Sequence, residues 1–379
     1  MEINLIDLPS EKFFIGMNKD FNKKIVEDFR KKSSPLYINC KNILGVSDTH
    51  FSSMYKKQQY PLQILLKLIN FLEIDIKETQ KHVSYIKTGN GSDKRLNIKF
   101  PIKLSKQLAR TIAHILGDGC LSIQKNTISS SYYNQNKLLR ECFKKDIYYI
   151  FGINQLKEGI NKTTNYVAIP SSASWILSIL VKDFNSKTSR VPEFIKTSPI
   201  HIKKEFIRAF LDDEAHVAYR PPNRYIEVAL SNKFLLEDLK ELIREFEIDT
   251  SKTYYKNLRG FDIYYFYIRH NHNLEKYSKE IGFLHSKKIL SLQKILENPG
   301  RKSYAHGKTE EMIVRLIGKG LKTSKELATT LDRKVGTIQV FLNKLQQKRI
   351  IKKEGFKKVG VRNKEIIWEI NKNGYSDSG

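Results

Sequence analysis

The chain has 379 residues, 40% hydrophobic and 28% charged, the composition of a soluble globular protein with length for about two to four domains. Lys and Arg number 67 against 40 Asp and Glu, and the resulting +27 points to a polyanionic partner, nucleic acid first. The apolar run at 175–181 is too short to span a bilayer, and the N-terminus lacks the basic-then-apolar order of a secretory signal. No membrane is therefore expected. Three cysteines, Cys40, Cys120 and Cys142, without any CxxC, argue against a disulfide framework and fit a cytoplasmic location.

Residues 1–95 read as a helical helix-turn-helix domain. FNKKIVEDFRKK (21–32) is amphipathic. CKNILGV (40–46), the polar turn SDTH (47–50) and FSSMYKK (51–57) form a short helix–turn–helix, and an apolar-faced helix follows at 61–74. KTGNGSDKR (87–95) reads as a linker.

Residues 100–295 alternate helix and strand patterns, and the order repeats. The first half opens with the apolar helix LARTIAHILGDG, the second with EFIRAFLDDEAH, and in each case strands, a helix, two strands and a helix follow. Asp118 and Glu214 are 96 positions apart (214 − 118), so the core is expected to be pseudo-two-fold within a monomer. Asn134 lies 16 residues after Asp118 and Asn232 lies 18 after Glu214, each at the start of a helix, where an N-cap role is open to both. Residues 296–308 read as a second linker.

Residues 305–373 fit a winged helix-turn-helix. TEEMIVRLIGKG (309–320) is its first helix. Thr323 and Ser324 can cap the second, KVGTIQVFLNKLQQK (334–348) is a candidate recognition helix, and 349–358 and 364–371 alternate as a hairpin around a wing tip, VGVRN. From 301 onward there are 19 Lys and Arg against 8 Asp and Glu, a surplus of 11 that suits DNA.

The chemistry is expected where the two opening helices end. Ala113 and Gly117, four apart, and Ala209 at the matching place allow two helices to approach closely. Packed along a pseudo-two-fold axis, they would bring Asp118 and Glu214 side by side. Carboxylates at helix C-termini repel each other and the helix dipole. A divalent cation would relieve that repulsion, and Mg²⁺ takes hard oxygen ligands with phosphate completing its shell. Asp212 and Asp213 read as solvated or capping residues, and the His270, His272 and His285 spacing as surface rather than zinc.

TIAHILGDGCL (111–121) and FIRAFLDDEAHV (206–217) resemble the two copies of the motif that names the LAGLIDADG homing endonucleases, in their single-chain, two-motif form. GFLHSKKILSL (282–292) is similar to the segment after the second repeat, and SKTSRVPEFI (186–195) to intein-type and archaeal members. The resemblance covers about residues 100–295 and implies an α+β fold, a duplicated αββαββα core with two saddle-shaped antiparallel sheets lying in the major groove of double-stranded DNA. It implies that Asp118 and Glu214 bind Mg²⁺ or Mn²⁺ and that activated water cuts each strand, leaving short 3′ overhangs. It further implies that Lys287, and Lys187 for the first repeat, stabilise charge or position water, and that Asn134 and Asn232 are polar residues near the site. Glu214 stands where the family most often has Asp, and Ala215 where it usually has Gly; a positive φ there would strain an alanine. Alternatives to a site-specific endonuclease are a transcription regulator with a non-cleaving core and, third, an intron RNA maturase. Intein self-splicing is not expected, since the chain opens without a Cys or Ser nucleophile and closes without a His-Asn pair.

Overall fold

The structure, a computed structural model, describes residues 1–33, 40–89, 94–124, 127–161, 163–220, 223–298, 308–331, 333–359 and 363–371. Much of the linkers read at 87–95 and 296–308, and of the wing tip VGVRN, lies outside the described residues. Two compact units are present: Met1–Tyr219, Tyr225–Arg269 and Asn273–Gln293 form one, and Arg220–Arg224, His270–His272 and Lys294–Gly379 the other.

The first 95 residues depart from the helical expectation. They hold β1 (Glu2–Ile3), β2 (Phe13–Met17), β3 (Gln59–Pro61) and β4 (Val83–Thr88), with β3-β2-β4 as a three-stranded antiparallel sheet. FFIGM and VSYIKT are too short for a helical period to show, and their aromatic and β-branched residues suit a pleated surface. β1 pairs with β5 (Ile102–Lys103). The amphipathic helix begins at Lys19, because Asn18 Oδ1 accepts from the Phe21 N–H at 2.9 Å. Of the expected helix pair, the first is a single π-type turn, Cys40–Leu44. The second starts at Asp48 rather than 51, because Ser47 Oγ caps the His50 N–H at 3.2 Å. The apolar helix Leu62–Leu72 buries Leu62, Leu65, Leu68 and Ile69.

Two successions of elements with the same order follow. The first is helix Lys106–Leu116, β6 (Gly119–Gln124), β7 (Thr127–Tyr133), helix Lys137–Phe151, β8 (Lys157–Asn161), β9 (Thr164–Ile169) and helix Ser171–Leu180. The second is helix Ile200–Glu214, β10 (Ala215–Arg220), β11 (Asn223–Leu230), helix Lys233–Arg244, β12 (Tyr254–Leu258), β13 (Phe261–Ile268) and helix Asn271–Glu280. The sheets run β6-β7-β9-β8 and β10-β11-β13-β12, the same topology twice. Alternation sets their faces: Ile128, Ser130 and Tyr132 of β7 are buried, as are Phe266 and Ile268 of β13.

The second unit is three helices, Lys308–Gly318, Ser324–Thr330 and Val335–Gln347, and a hairpin of β14 (Ile351–Val359) with β15 (Asn363–Ile370). Ile313, Leu327, Ile338, Leu342 and Trp368 form its core. Thr323 is the cap of the middle helix: its hydroxyl accepts from the Glu326 N–H at 3.3 Å, and Glu326 Oε2 accepts from the Thr323 N–H at 3.0 Å.

Candidate active site

Helix Lys106–Leu116, started by Ser105 Oγ on the Leu108 N–H, packs against helix Ile200–Glu214 more extensively than any other helix pair among the described residues. Small side chains permit this approach. Ala109 and Ala113 are fully buried, Ala209 nearly so, and a Cβ on Gly117 would stand 3.3 Å from the Asp213 Cβ. At the start of the first helix, Arg110 clamps the bundle: its Nε meets Asp146 Oδ2 and its Nη1 meets Glu205 Oε2, both at 2.8 Å.

The helices end differently. The second runs through Glu214 itself, and Ala215 follows in extended backbone, φ −81° and ψ 143°. Alanine fits there without strain, so the anticipated penalty does not arise. The first helix stops at Leu116, with Asp118 in the turn two residues beyond, rather than ending in the acid as expected. Gly119 is required by close approach: a Cβ would fall 2.4 Å from the Ile115 backbone.

Asp118 and Glu214 do meet electrostatically. Burial, then the Asp213 charge, pushes Asp118 up to about 6, against the relief of Lys288, His114 and the Asn134 hydrogen bond. Burial, then the Asp118 and Asp213 charges, pushes Glu214 up to about 7. The side chain of Asn134 is in this cluster. Its Nδ2 donates to Asp118 Oδ2 at 2.9 Å and to Asp213 Oδ1 at 3.1 Å.

The centre of the cluster is Asp213, which sequence reasoning set aside as solvated. Its side chain is fully buried; His114 Nδ1 lies 2.8 Å from Oδ2, and the Tyr132 hydroxyl donates to Oδ1 at 2.7 Å. The His114 pKa is raised: burial opposes the charge, but Asp213 outweighs it. Asp212 is also buried, accepting the backbone N–H of Leu284 at 3.0 Å and of His285 at 2.9 Å; burial nonetheless holds it up at about 6. The apolar surroundings of these acids and of His114 (AFLDDE, IAHIL) were the available signal, because a charge on a buried helix face requires a partner.

Three expected residues lie elsewhere. Lys287 is exposed, and its neighbour Lys288 faces the acids. Lys288 Nζ donates to the carbonyls of Leu211 at 2.9 Å, Asp212 at 2.5 Å and Asp213 at 3.2 Å, closing the end of the second helix. Its charge acts on Asp118 and Glu214, while burial dominates and lowers its pKa. Helical periodicity contained this answer: Lys288, Leu292 and Ile295 share one face, and the latter two are buried. Lys187 is exposed beside Asp262 and lines a cavity of about 320 Å³ with Lys233, Phe234 and Tyr264, apart from the acids. Asn232 is an N-cap, accepting from the Phe234 and Leu235 N–H at 3.0 and 3.1 Å and donating to the Ser189 carbonyl at 2.7 Å. Its counterpart in the first half is Asn136, which caps helix Lys137–Phe151 and stands 18 residues after Asp118 (136 − 118), as Asn232 does after Glu214.

By donor type, the pair fits a hard divalent cation. Two desolvated carboxylates, one raised by the charge of the other, gain from a 2+ charge, and Mg²⁺ needs only one or two protein carboxylates when water and phosphate complete its shell. Among the described residues no group of three or more His, Cys, Asp or Glu is placed to hold a metal, so the protein would contribute this pair alone.

The profile of the LAGLIDADG-like domain family matches residues 201–282, and the resemblance read from the sequence is borne out there. Two curated relatives are replication factor C small subunits. One, from Thermococcus kodakarensis, is 26% identical over 193 residues, 51% of this chain and 21% of the relative. The other, from Methanocaldococcus jannaschii, is 24% identical over 257 residues, 62% of this chain and 14% of the relative. The chain thus spans about a fifth or less of the curated relatives it matches. Among solved structures it is similar to I-DmoI in complex with DNA and Mn (15% identity, 48% of this chain, 98% of that one, TM-score 0.37). It is similar to the homing endonuclease I-WcaI bound to its DNA recognition sequence (18%, 49%, 87%, 0.37) and to full-length DUF199/WhiA from Thermatoga maritima (12%, 64%, 91%, 0.36). Likenesses at these TM-scores carry no conclusion about function.

Proposed function

We propose that this chain is a site-specific double-stranded DNA endonuclease of the homing type, acting as a monomer with internal pseudo-two-fold symmetry. The observation that carries this reading is that Asp118 and Glu214, from two halves of one topology, stand at the ends of one close-packed helix pair, where the Asp118 charge raises Glu214. The LAGLIDADG-like match over 201–282 and the net charge of +27 support it. In this reading residues 100–295 are a duplicated core whose two saddle-shaped sheets enter the major groove. Residues 1–95 and 305–373, the latter a winged helix-turn-helix, extend the contact with DNA.

Asp118 and Glu214 would hold Mg²⁺ or Mn²⁺. A cation held there would supply Lewis-acid polarisation of a phosphate and a lowered pKa of water, and short 3′ overhangs are expected. Asn134 orients the Asp118 carboxylate. Asp213, paired with His114, accepts from the same Asn134 amide. Lys288 offsets the charge of the acids and anchors the helix end that carries Glu214.

One observation favours a second reading. Asn134 bonds Asp118, whereas the matching position of the second half, two residues before the capping Asn232, is Leu230, and among the described residues no hydrogen bond reaches the Glu214 side chain. Such an asymmetry suits an enzyme that nicks one strand, or a regulator that binds without cutting.

The test is incubation of the full chain with fragmented genomic DNA and Mg²⁺, followed by sequencing of new ends, with Asp118→Asn as control. Paired ends of fixed short stagger, absent from the control, support the endonuclease. Ends on one strand support the nickase. Recovery of a specific bound fragment with no new ends overturns both in favour of the regulator.

A further inference from the structure

The two core sheets share a topology, but the faces opposite their buried sides differ in chemistry. On β13, Phe266 and Ile268 are buried, so Tyr265 and Tyr267 occupy the other face, and Arg269, just past the strand, lies over Tyr267. Tyr254 of β12 pairs with Tyr265, which places Tyr254 and Lys256 there too. The rings form one patch: Tyr254–Tyr265 centroids are 5.4 Å apart, Tyr265–Tyr267 5.5 Å and Tyr225–Tyr267 4.7 Å. Three exposed cations are propped on it. Arg269 lies 3.9 Å from the Tyr267 centroid, Lys256 4.8 Å from Tyr265, and Lys252 5.6 Å from Tyr254. The four hydroxyls make no protein hydrogen bond among the described residues. Glu227, opposite Tyr267, is the acid on this face.

Among the described residues the matching face of the first sheet carries fewer rings and cations. Ser129 and Ser131 of β7 lie opposite buried Ile128, Ser130 and Tyr132. The register adds Ala168 and Tyr166 of β9 and Lys157 of β8. Among the described residues, one aromatic pair, Tyr133–Tyr166 at 5.7 Å, and one cation, Lys157, stand where the second sheet has four rings and three cations.

We propose that the second sheet is the high-affinity half of the DNA-binding surface and that the first adds little to affinity; this rests on the duplex-DNA reading above. The occupant is the phosphate backbone of duplex DNA. Each cation that neutralises a phosphate releases condensed counterions and steepens the salt dependence by about 0.9. Cations held over rings are already placed, and unpaired tyrosine hydroxyls are free to donate to phosphate oxygens. Ser129 and Ser131 carry no charge to release counterions, so among the described residues of the first sheet's face Lys157 contributes this term.

The test uses the full chain and a mixed-sequence duplex of about 30 base pairs, with affinity measured by fluorescence anisotropy from about 50 to about 200 mM salt. A triple variant, Lys252→Ala, Lys256→Ala and Arg269→Ala, is compared with Lys157→Ala. All four side chains are exposed, and circular dichroism melting checks that folding is kept. The triple variant is expected to lose about 2–3 from the log–log salt slope and at least about 10-fold in affinity, Lys157→Ala at most about 0.9 of slope. Tyr265→Phe with Tyr267→Phe is expected to weaken binding without changing the slope. A triple variant whose slope is unchanged, or falls no further than that of Lys157→Ala, overturns the inference while leaving the DNA reading intact. A wild-type chain that binds no duplex, or prefers a folded RNA, overturns the reading itself.

Discussion

At the end of the first motif helix, Asp118 sits in a turn, two residues past the last helical position, with an asparagine amide on one oxygen. At the end of the second, Glu214 is the last helical residue, its neighbour Ala215 enters the strand directly, and the position matching Asn134 is Leu230. The longer glutamate side chain starts closer to the helix and the shorter aspartate farther out, yet both reach the same cluster. Equal topology therefore fixes where two acids meet, while local spacing fixes how each is held. The burial cost of the cluster is met by His114 and Tyr132 of the first half on Asp213 of the second, and by the Lys288 charge beyond the second half.

Substitutions can break this comparison, the largest effects coming from the acids themselves. Asp118→Asn or Glu214→Gln is expected to lower Mg²⁺-dependent cleavage by more than the roughly 10–100-fold typical of supporting residues, measured as single-turnover rates on each strand. If the halves act on separate strands, each variant leaves one strand cut more than the other. Next is Asp213→Asn, which leaves His114 without its counter-charge. Breaking such a buried pair costs about 3–5 kcal/mol, read by denaturant unfolding. Asn134→Ala is expected to slow cleavage by about 10–100-fold through Asp118. Asn232→Ala should instead cost about 0.5–2 kcal/mol of stability as a lost cap, with cleavage per folded molecule preserved.

The pH dependence sharpens the same contrast. Asp118 and Glu214 are raised to about 6 and about 7, so the folded state keeps protons that the unfolded carboxyls release near about 4. Without divalent cation, stability should fall as pH rises from about 4 to about 7. His114, also raised, adds stabilisation that is present below its unfolded value and lost as pH rises through its folded one. Cation binding needs the deprotonated pair, so added Mg²⁺ should restore the melting temperature at pH about 7.5 and do little at pH about 5, as calorimetry would show. The smallest effects belong to Lys187→Ala and Lys287→Ala, exposed positions expected to stay within about 0.5 kcal/mol in stability.

Helix-period stripes and the 96-residue spacing made the paired helices and their meeting acids legible in the sequence, because a close-packed interface writes small residues at fixed intervals. Short strands such as FFIGM did not show, since five residues fit either period. The site residues that sequence reading missed were those whose role depends on a partner from the other half. Nothing in LDDE by itself says that Asp213 points at His114, 99 residues away. Lys288 differs from Lys287 by one position, and only the helix face shared with Leu292 and Ile295 separates them. Asn134 bonds Asp118, while Asn232, read as its partner, is matched by Asn136, as equal spacings from the two acids indicate.

The central claim is that the two halves build one shared carboxylate site. Carbon-detected NMR of the full chain with labelled glutamate follows the Glu214 carboxyl through pH, in the wild type and in Asp118→Asn, without divalent cation. The account predicts a wild-type midpoint near about 7 that moves down when the Asp118 charge is removed. A Glu214 midpoint that is ordinary, or raised but indifferent to residue 118, would contradict it.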